Sequence, residues 1–194
     1  RGDKIQHLSF DKLEGKGFFT KEIEDALIRK EIDLAVHSHK DLETNPPKGL
    51  VIAAVSERED PSELLLIRKE AVDNSKFWEL KENAVVGTSS SRRKSQILLF
   101  RDDVQLKDLR GNVPTRIQKL RDGNYDAILL AKAGVIRLNL DISDLHVECL
   151  PKKWFIPAPA QGVLALQIRE DDLRIQEILD RLNSLSTQEE INVE

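Results

Sequence analysis

The sequence has a single cysteine, no methionine and no apolar run that approaches the ~20 residues needed to cross a membrane. The lone Cys149 excludes a disulfide framework within the chain and is typical of a reducing compartment. No basic segment followed by an apolar one opens the chain, so a secretory signal is not indicated. We therefore expect a cytoplasmic protein without a membrane partner, in which Cys149 is a buried thiol rather than a nucleophile. Because methionine is missing even at position 1, we also expect the natural chain to begin further upstream.

Charge is close to balanced, with 30 basic against 34 acidic side chains and a formal net charge of −4. An acidic balance disfavours a general nucleic-acid binder, which needs a basic surface. The basic residues are nevertheless gathered in short segments, at 91–94 and 110–116. An acidic chain that concentrates arginine in loops is expected to bind one specific anionic ligand. Its 194 residues suffice for one large domain or two small ones.

Short apolar strands alternate with amphipathic helices in the second half of the chain. One predicted helix has Pro114 in its first turn and Gly123 just beyond its end, which is the usual asymmetry of helix termini. Strands and helices that alternate at this spacing favour α/β units with mainly parallel sheets. The predicted strands are residues 84–86, 104–106 and 127–131.

Two segments lie where the chain can cross between lobes. They are the charged SEREDP at 56–61, which follows an apolar strand, and the proline-rich stretch at 156–159. Near the end, Ser186 and Glu189 have the spacing of a capping box, which predicts a helix start at Ser186. The chain stops five residues after this signal, so we expect it to be cut inside a new element.

Three polar segments follow predicted strands, at residues 87–93, 110–116 and 131–137. The carboxyl ends of parallel strands meet at one edge of an open α/β sheet, where ligands bind. Free N–H groups at helix starts favour anions, and arginine matches carboxylates with its planar pair of donors. Several arginines at such an edge are suited to a polycarboxylate. The alternative is that the serines cap helices and the arginines lie in solvent.

Two histidines and an acid follow a predicted buried strand, in the segment HSHKD at 37–41. An acid at such a strand end can lie at a lobe interface, where partial desolvation would shift its pKa towards a useful acid–base value. The alternative is a strand-end turn with Lys40 and Asp41 in solvent. His37 and His39 project to the same side of a strand, but no third ligand lies nearby in sequence, so no metal site is predicted.

Taken together, these segments resemble the porphobilinogen deaminase family. The matching stretches follow the family order and span essentially the whole chain, and eight of them in register are highly specific. They are RGDKI, EGKGFFTKEIEDAL, DLAVHSHKDL, SEREDP, VVGTSSSRRKSQ, DLRGNVPTRIQKL, YDAILLAKAGVIRL and FIPAPAQGVLALQIR.

The resemblance implies an α/β fold of three domains, the first two like the lobes of a type II periplasmic binding protein, with mainly parallel sheets and two interlobe crossings. Domain 1 would comprise residues 1–57 plus 163–180, be incomplete at its N-terminus, and carry the catalytic acid. Domain 2 would comprise residues 62–156 and carry the arginines. Residues 181–194 would begin a linker into a third domain that this sequence lacks.

The resemblance also implies a monomeric, cytoplasmic transferase of heme biosynthesis that joins four porphobilinogen molecules head to tail into hydroxymethylbilane. A dipyrromethane cofactor is attached in this family to a cysteine of domain 3, so we expect that cysteine outside this sequence and the chain alone to be inactive. The partners implied are porphobilinogen and the growing pyrrole chain, without nucleic acid or membrane. The acetate and propionate groups on each pyrrole would explain the arginines.

Residue by residue, the resemblance assigns Asp41 as the catalytic acid, which would contact pyrrole nitrogens, assist the loss of ammonia and stabilise the cation formed. The residues that resemble the cofactor-binding set are Lys16, Lys40, Thr88, Ser90, Arg92, Arg93 and Arg116. Those that resemble the set for substrate and growing chain are Lys12, Ser38, Arg110, Asn112, Arg116 and Arg137.

Two other functions stay open. The same lobes and anion loops suit a two-lobed carboxylate-binding module that closes on its ligand without chemistry. A nucleic-acid binder would rest on arginine density alone, and the acidic balance of the chain does not support it.

Overall fold

The computed structural model describes residues 20–194, which form two compact units. Unit A comprises residues 20–59 together with Pro159–Glu194, and unit B comprises Asp60–Ala158. The strands are β1 (Ala35–Ser38), β2 (Leu50–Val55), β3 (Glu63–Ile67), β4 (Val85–Gly87), β5 (Gln105–Lys107), β6 (Ala127–Ala131), β7 (His146–Leu150) and β8 (Leu164–Arg169). The helices are α1 (Lys21–Ile28), α2 (Ser91–Phe100), α3 (Val113–Arg121), α4 (Lys132–Arg137), α5 (Leu173–Leu179) and α6 (Leu185–Asn192).

Unit A is built on a three-stranded sheet in the order β1-β8-β2, with β8 antiparallel to both neighbours. Leu27 of α1 is fully buried against Ala35 and Leu50 in one small core. A second core joins Ile168 of β8 to Leu179 of α5. These two apolar clusters attach the helices to the sheet, since burial of each such side chain stabilises by about 1.5–3 kcal/mol.

Unit B is built on a five-stranded sheet in the order β5-β4-β6-β3-β7. Strand β4 is parallel to β5 and β6, whereas β3 is antiparallel to β6 and to β7. Four of the five strands therefore run in one direction, with β3 reversed. This confirms the predicted α/β class with mainly parallel strands.

Strand β3 explains how unit B is held together. All five of its residues are buried, and successive side chains point to opposite faces of the sheet. Leu65 and Ile67 belong to a core that also contains Trp78 and Phe155. Leu64 and Leu66 belong to the core on the other side, with Ile117 and Leu120 of α3. The apolar run LLLI thus supplies both faces, as a strand covered on both sides requires.

Within residues 20–194 the chain passes between the units after Glu59 and after Ala158. The sequence had placed these boundaries at 57–62 and 156–163. Residues 181–194, assigned from sequence to the start of a linker, fold in unit A, where the Ser184 N–H donates to Val55 O at 2.9 Å. The side chain of Ser184 caps α6, so the N-cap lies two residues before the predicted Ser186. Within the described residues, no helix is both long and apolar enough to cross a membrane.

Candidate functional site

The carboxyl ends of β4, β5 and β6 lie along one edge of the unit B sheet, because these strands are parallel. The antiparallel β3 begins at the same edge, where Glu63 lies opposite Ala131 and Leu150. Each of the three strands leads into a helix at this edge. The three polar segments predicted from sequence therefore lie on one side of unit B, as the topology rule for such sheets requires.

The first junction, between β4 and α2, is lined by hydroxyl groups. Thr88 is buried and its Oγ1 accepts from the Ser90 N–H at 3.3 Å. Ser90 caps α2 by accepting from the Arg93 N–H. Ser89 Oγ donates to Leu109 O and accepts from the Leu109 N–H, each at 3.0 Å, which ties this junction to the next one.

The second junction, between β5 and α3, is a tight arginine-bearing loop. Asn112 caps α3 through Oδ1, which accepts from the Thr115 N–H at 2.9 Å. Arg116 Nε donates to Gly111 O at 2.6 Å, and Gly111 has a φ of +115° that side chains rarely adopt. Lys119 Nζ donates to the carbonyl of Arg110. Arg110 and Arg116 are both partly exposed beside these helix-start amides.

Arg92 and Arg93, in the first turn of α2, share one carboxylate. Arg93 is buried and forms a bidentate pair with Glu63, with Nη2–Oε2 at 2.6 Å and Nε–Oε1 at 3.0 Å, while its Nη1 donates to Leu129 O. Arg92 is more exposed, and its Nη2 contacts Glu63 Oε1 at 2.5 Å while Nη1 donates to Ile156 O. Burial by itself raises the pKa of the Glu63 carboxyl, but the guanidinium groups of Arg93 and Arg92 outweigh it and hold that pKa below its ordinary value.

The third junction joins β6 directly to the short helix α4. Lys132 Nζ pairs with Asp60 Oδ2 at 2.7 Å, and this hydrogen bond holds the pKa of Asp60 far below its usual range. Arg137, at the end of α4, is exposed. Cys149 is exposed on the edge strand β7, and its Sγ lies 4.0 Å from Lys132 Nζ. The prediction that this thiol is buried was therefore wrong. The alternation along β7 turns Cys149 outward and Leu150 inward.

Unit A carries the predicted catalytic acid on a single turn of 3-10 helix, His39–Asp41, that directly follows β1. Asp41 is exposed, as is Ser38. Lys40 is partly buried and its Nζ donates to Gln161 Oε1 at 3.2 Å. This turn presents a carboxylate to solvent from a fixed backbone.

The two histidines of this segment have separate surroundings. His37 is buried, and its Nε2 lies 2.9 Å from Gln167 Oε1, which makes it part of a polar chain that continues to Glu24. Burial lowers the pKa of His39. His37 is therefore engaged within the core of unit A.

A different group of potential metal ligands lies in unit B. Glu79, His146 and Glu148 place one ligand atom each within 4.8 Å of one another. His146 pairs with Ile67, at the opposite end of β3 from Glu63. His146 Nε2 lies 3.3 Å from Glu79 Oε2 and 2.9 Å from Glu148 Oε1, so the imidazole lies between the two carboxylates.

Two residues of the site region were not singled out from sequence. Glu63 is fully buried between two arginines, and Gln161 is fully buried with its side chain on Lys40 and its carbonyl accepting from Arg58. The sequence does hold a sign that Glu63 is unusual, because this acid is the first residue of an otherwise apolar strand. Lys12 and Lys16 lie outside the described residues.

The donors at the unit B edge suit an anion with several carboxylates. Two helix starts, the hydroxyl groups of Thr88 and Ser90, and three guanidinium groups lie on the same side of one sheet; the guanidinium groups are those of Arg92, Arg110 and Arg116. Helix N-termini and forked guanidinium donors both favour carboxylate oxygens. The two loops that carry these donors are joined by the hydrogen bonds between Ser89 and Leu109.

Comparison with known proteins shows which family the chain resembles. The family model described as "Porphobilinogen deaminase, dipyromethane cofactor binding domain" matches residues 1–177. The chain is 44% identical to the porphobilinogen deaminase of Brevibacillus brevis over all 194 of its residues, and covers 61% of that relative. It is 46% identical to the porphobilinogen deaminase of Syntrophomonas wolfei over 182 residues, 94% of this chain and 58% of that relative. The chain thus spans about three fifths of the length of these relatives.

Among solved structures, the chain is similar to an ancestral cationic amino acid solute binding protein, AncCDT-1, with a TM-score of 0.51 and 16% identity. The match covers 84% of this chain and 66% of that one, and it supports the predicted likeness to periplasmic binding proteins at the level of fold. Because the matched family model extends over most of the sequence, this chain belongs to the porphobilinogen deaminase family.

Proposed function

We propose that the full-length protein containing this chain joins four porphobilinogen molecules into hydroxymethylbilane, and that this chain supplies the cofactor-holding and acid–base residues. The observation that carries the proposal is the pair of joined helix-start junctions in unit B, tied by Ser89 to Leu109, inside a chain matched by the family's cofactor-binding domain. On this basis the protein is a transferase of heme biosynthesis. We further propose that it acts as a cytoplasmic monomer.

The residues present fit a dipyrromethane group, judged by the chemistry of their donors. Each pyrrole carries carboxylates, and the unit B edge offers hydroxyl groups, helix-start amides and guanidinium groups. The acids at this edge are paired with basic side chains, Glu63 with two arginines and Asp60 with Lys132. The set that we propose for it is Lys16, Lys40, Thr88, Ser90, Arg92, Arg93 and Arg116. When bound, the group supplies the pyrrole end to which substrate is joined.

Substrate carboxylates are assigned to a second set of donors, and Arg116 belongs to both. Asn112 uses Oδ1 as the cap of α3, which leaves its amide NH2 able to donate. Arg137 is exposed and long enough to follow a flexible carboxylate. The proposed set is Lys12, Ser38, Arg110, Asn112, Arg116 and Arg137.

Asp41 is proposed as the acid of the reaction. Its exposed carboxylate can accept a hydrogen bond from a pyrrole N–H of the substrate. When ammonia leaves the substrate, positive charge develops on the pyrrole, and a carboxylate held against that nitrogen stabilises it. The neighbouring Lys40 is restrained by Gln161, so the turn that carries Asp41 keeps its position.

The test uses full-length protein. Intact mass should show a covalent pyrrole adduct, and the protein should convert porphobilinogen to hydroxymethylbilane. Asp41→Asn should lower turnover at least 100-fold without changing the melting temperature, because the side chain is exposed. Glu43→Gln, an exposed acid two residues further on, is the matched control and should keep normal turnover. A protein that binds a small carboxylate tightly but carries no pyrrole and makes no bilane would instead be a binding module.

A further inference from the structure

Glu63 is the least expected group at the edge of unit B, because it is a fully buried carboxylate in a region suited to anions. It opens β3, between Ala131 and Leu150, and has no exposed surface. A buried carboxylate is tolerated only when it is paired and hydrogen-bonded. Its partners are Arg92 and Arg93, two members of the proposed cofactor-binding set.

The two arginines depend on Glu63 in different ways. Arg93 has each of its three guanidinium nitrogens on a protein acceptor, namely both oxygens of Glu63 and the carbonyl of Leu129, and its side chain is 8% exposed. Arg92 has 27% of its side chain exposed and shares Oε1 of the same carboxylate. Arg93 is therefore fixed inside the protein, whereas Arg92 presents a guanidinium edge to solvent.

We infer that Glu63 is a positioning residue for cofactor binding, and that Arg93 contributes through this carboxylate while Arg92 makes the direct contact with a pyrrole carboxylate. Two adjacent cations repel each other, and a carboxylate between them removes that repulsion. The trio keeps one net positive charge, with Arg92 as its exposed member. This inference rests on the proposed function and names the group that orders its arginines.

The experiment compares Glu63→Gln with Asp103→Asn in full-length protein. Glutamine keeps the size of the side chain and removes the charge. Asp103 is a matched control, because it also pairs with an arginine of unit B, Arg101 at 2.7 Å, but just before β5 begins, at the opposite edge of the sheet. We expect Glu63→Gln to lower the fraction of protein that carries the pyrrole adduct by at least tenfold. The fraction of the Glu63→Gln protein that does carry the adduct should have a raised KM for porphobilinogen, with little change in kcat. Asp103→Asn should load normally.

A folded Glu63→Gln protein with wild-type loading and wild-type KM would overturn the inference. So would equal loss of loading in both variants, since that would report general destabilisation. If Glu63→Gln does not fold, the crystal structure of loaded wild-type protein decides. In that structure Glu63 should still pair with both arginines, and Arg92 should donate to a pyrrole carboxylate. A structure in which Arg93 has left Glu63 and binds the pyrrole carboxylate itself would refute the inference. Wild-type protein without an adduct and without bilane synthesis would reject the proposed function itself.

Discussion

Gly162 offers the sharpest test of how unit A holds its chain crossings. It has a φ of +91°, and a Cβ built at this position would lie 2.1 Å from the carbonyl oxygen of Glu59. The Glu59 N–H also donates to Gly162 O at 2.9 Å, so the two backbones are in direct contact. Gly162→Ala should therefore force the loop segments at residues 57–59 and 160–163 apart.

The size of the effect follows from two separate contributions. A positive φ costs an L-residue about 1–2 kcal/mol, of which roughly 0.4–1 kcal/mol is returned by the reduced entropy of the unfolded chain. Real Cβ contacts are essentially never under 3.0 Å, so Glu59 must move by roughly 1 Å, and overpacking of this kind costs about 1–3 kcal/mol. We expect Gly162→Ala to lower the free energy of unfolding by about 2–4 kcal/mol.

Gly49→Ala is the matched control, because Gly49 has a φ of +87° in the same unit and nothing within 4 Å of a built Cβ. It should cost about 1 kcal/mol or less. Trp78 and Trp154 both lie in unit B, so their fluorescence reports the other unit. Amide hydrogen exchange at Glu59 and along β8 is the suitable assay. If Gly162→Ala costs no more than Gly49→Ala, the close backbone contact does not exist.

Three further outcomes are expected in full-length protein. Arg92→Leu should lower pyrrole loading at least tenfold by intact mass, whereas Lys94→Leu, two residues along the same helix, should load normally; equal loading in both would contradict the assignment. The hydrogen bond from Arg101 lowers the pKa of Asp103 from 3.8 to about 2. After screening by solvent, this ion pair should add about 1 kcal/mol to the free energy of unfolding. That stabilisation is present above pH 4 and is lost as the pH falls towards 2. Asp103→Asn should remove this pH dependence from denaturation curves. Arg93→Leu should cost about 3 kcal/mol, because the buried Glu63 carboxylate keeps only the more exposed Arg92 as an arginine partner. Adding Glu63→Leu should restore most of this loss; additive losses would show that the pair is not coupled.

Local patterns were sufficient to predict much of the fold. The proline and glycine at the two ends of α3 lie where predicted, since Pro114 is in its first turn and Gly123, with a φ of +79°, follows its end. The N-cap of α6 is Ser184 and not the predicted Ser186, although Ser186 has the capping-box spacing to Glu189 and Ser184 has Thr187 three residues later. Tertiary contact selects Ser184, whose N–H is already bound to Val55 O. A local capping signal can thus be overruled by packing, which the sequence does not display.

In the candidate site, too, some features were predictable from local sequence and others depend on tertiary structure. The three polar junctions were predictable, because parallel strands place their carboxyl ends at one edge whatever their exact lengths. The pairing of Glu63 with Arg93 joins residues 30 positions apart and depends on β3 running antiparallel beside β6. Strand order and direction in a five-stranded sheet are not encoded in any local pattern. The exposure of Cys149 was mispredicted for a related reason, since it depends on β7 being an edge strand.

The position of Glu63 also explains why two arginines can begin a helix at all. Helix starts carry a partial positive charge, so cations in the first turn are unfavourable, and α2 has no acid in that turn to offset them. The carboxylate comes instead from β3, beneath the helix start. Because it is buried, its charge is little screened by water and can offset both the dipole and the mutual repulsion of Arg92 and Arg93. The compensation is incomplete by one charge, and that remaining positive charge is what an incoming carboxylate would meet.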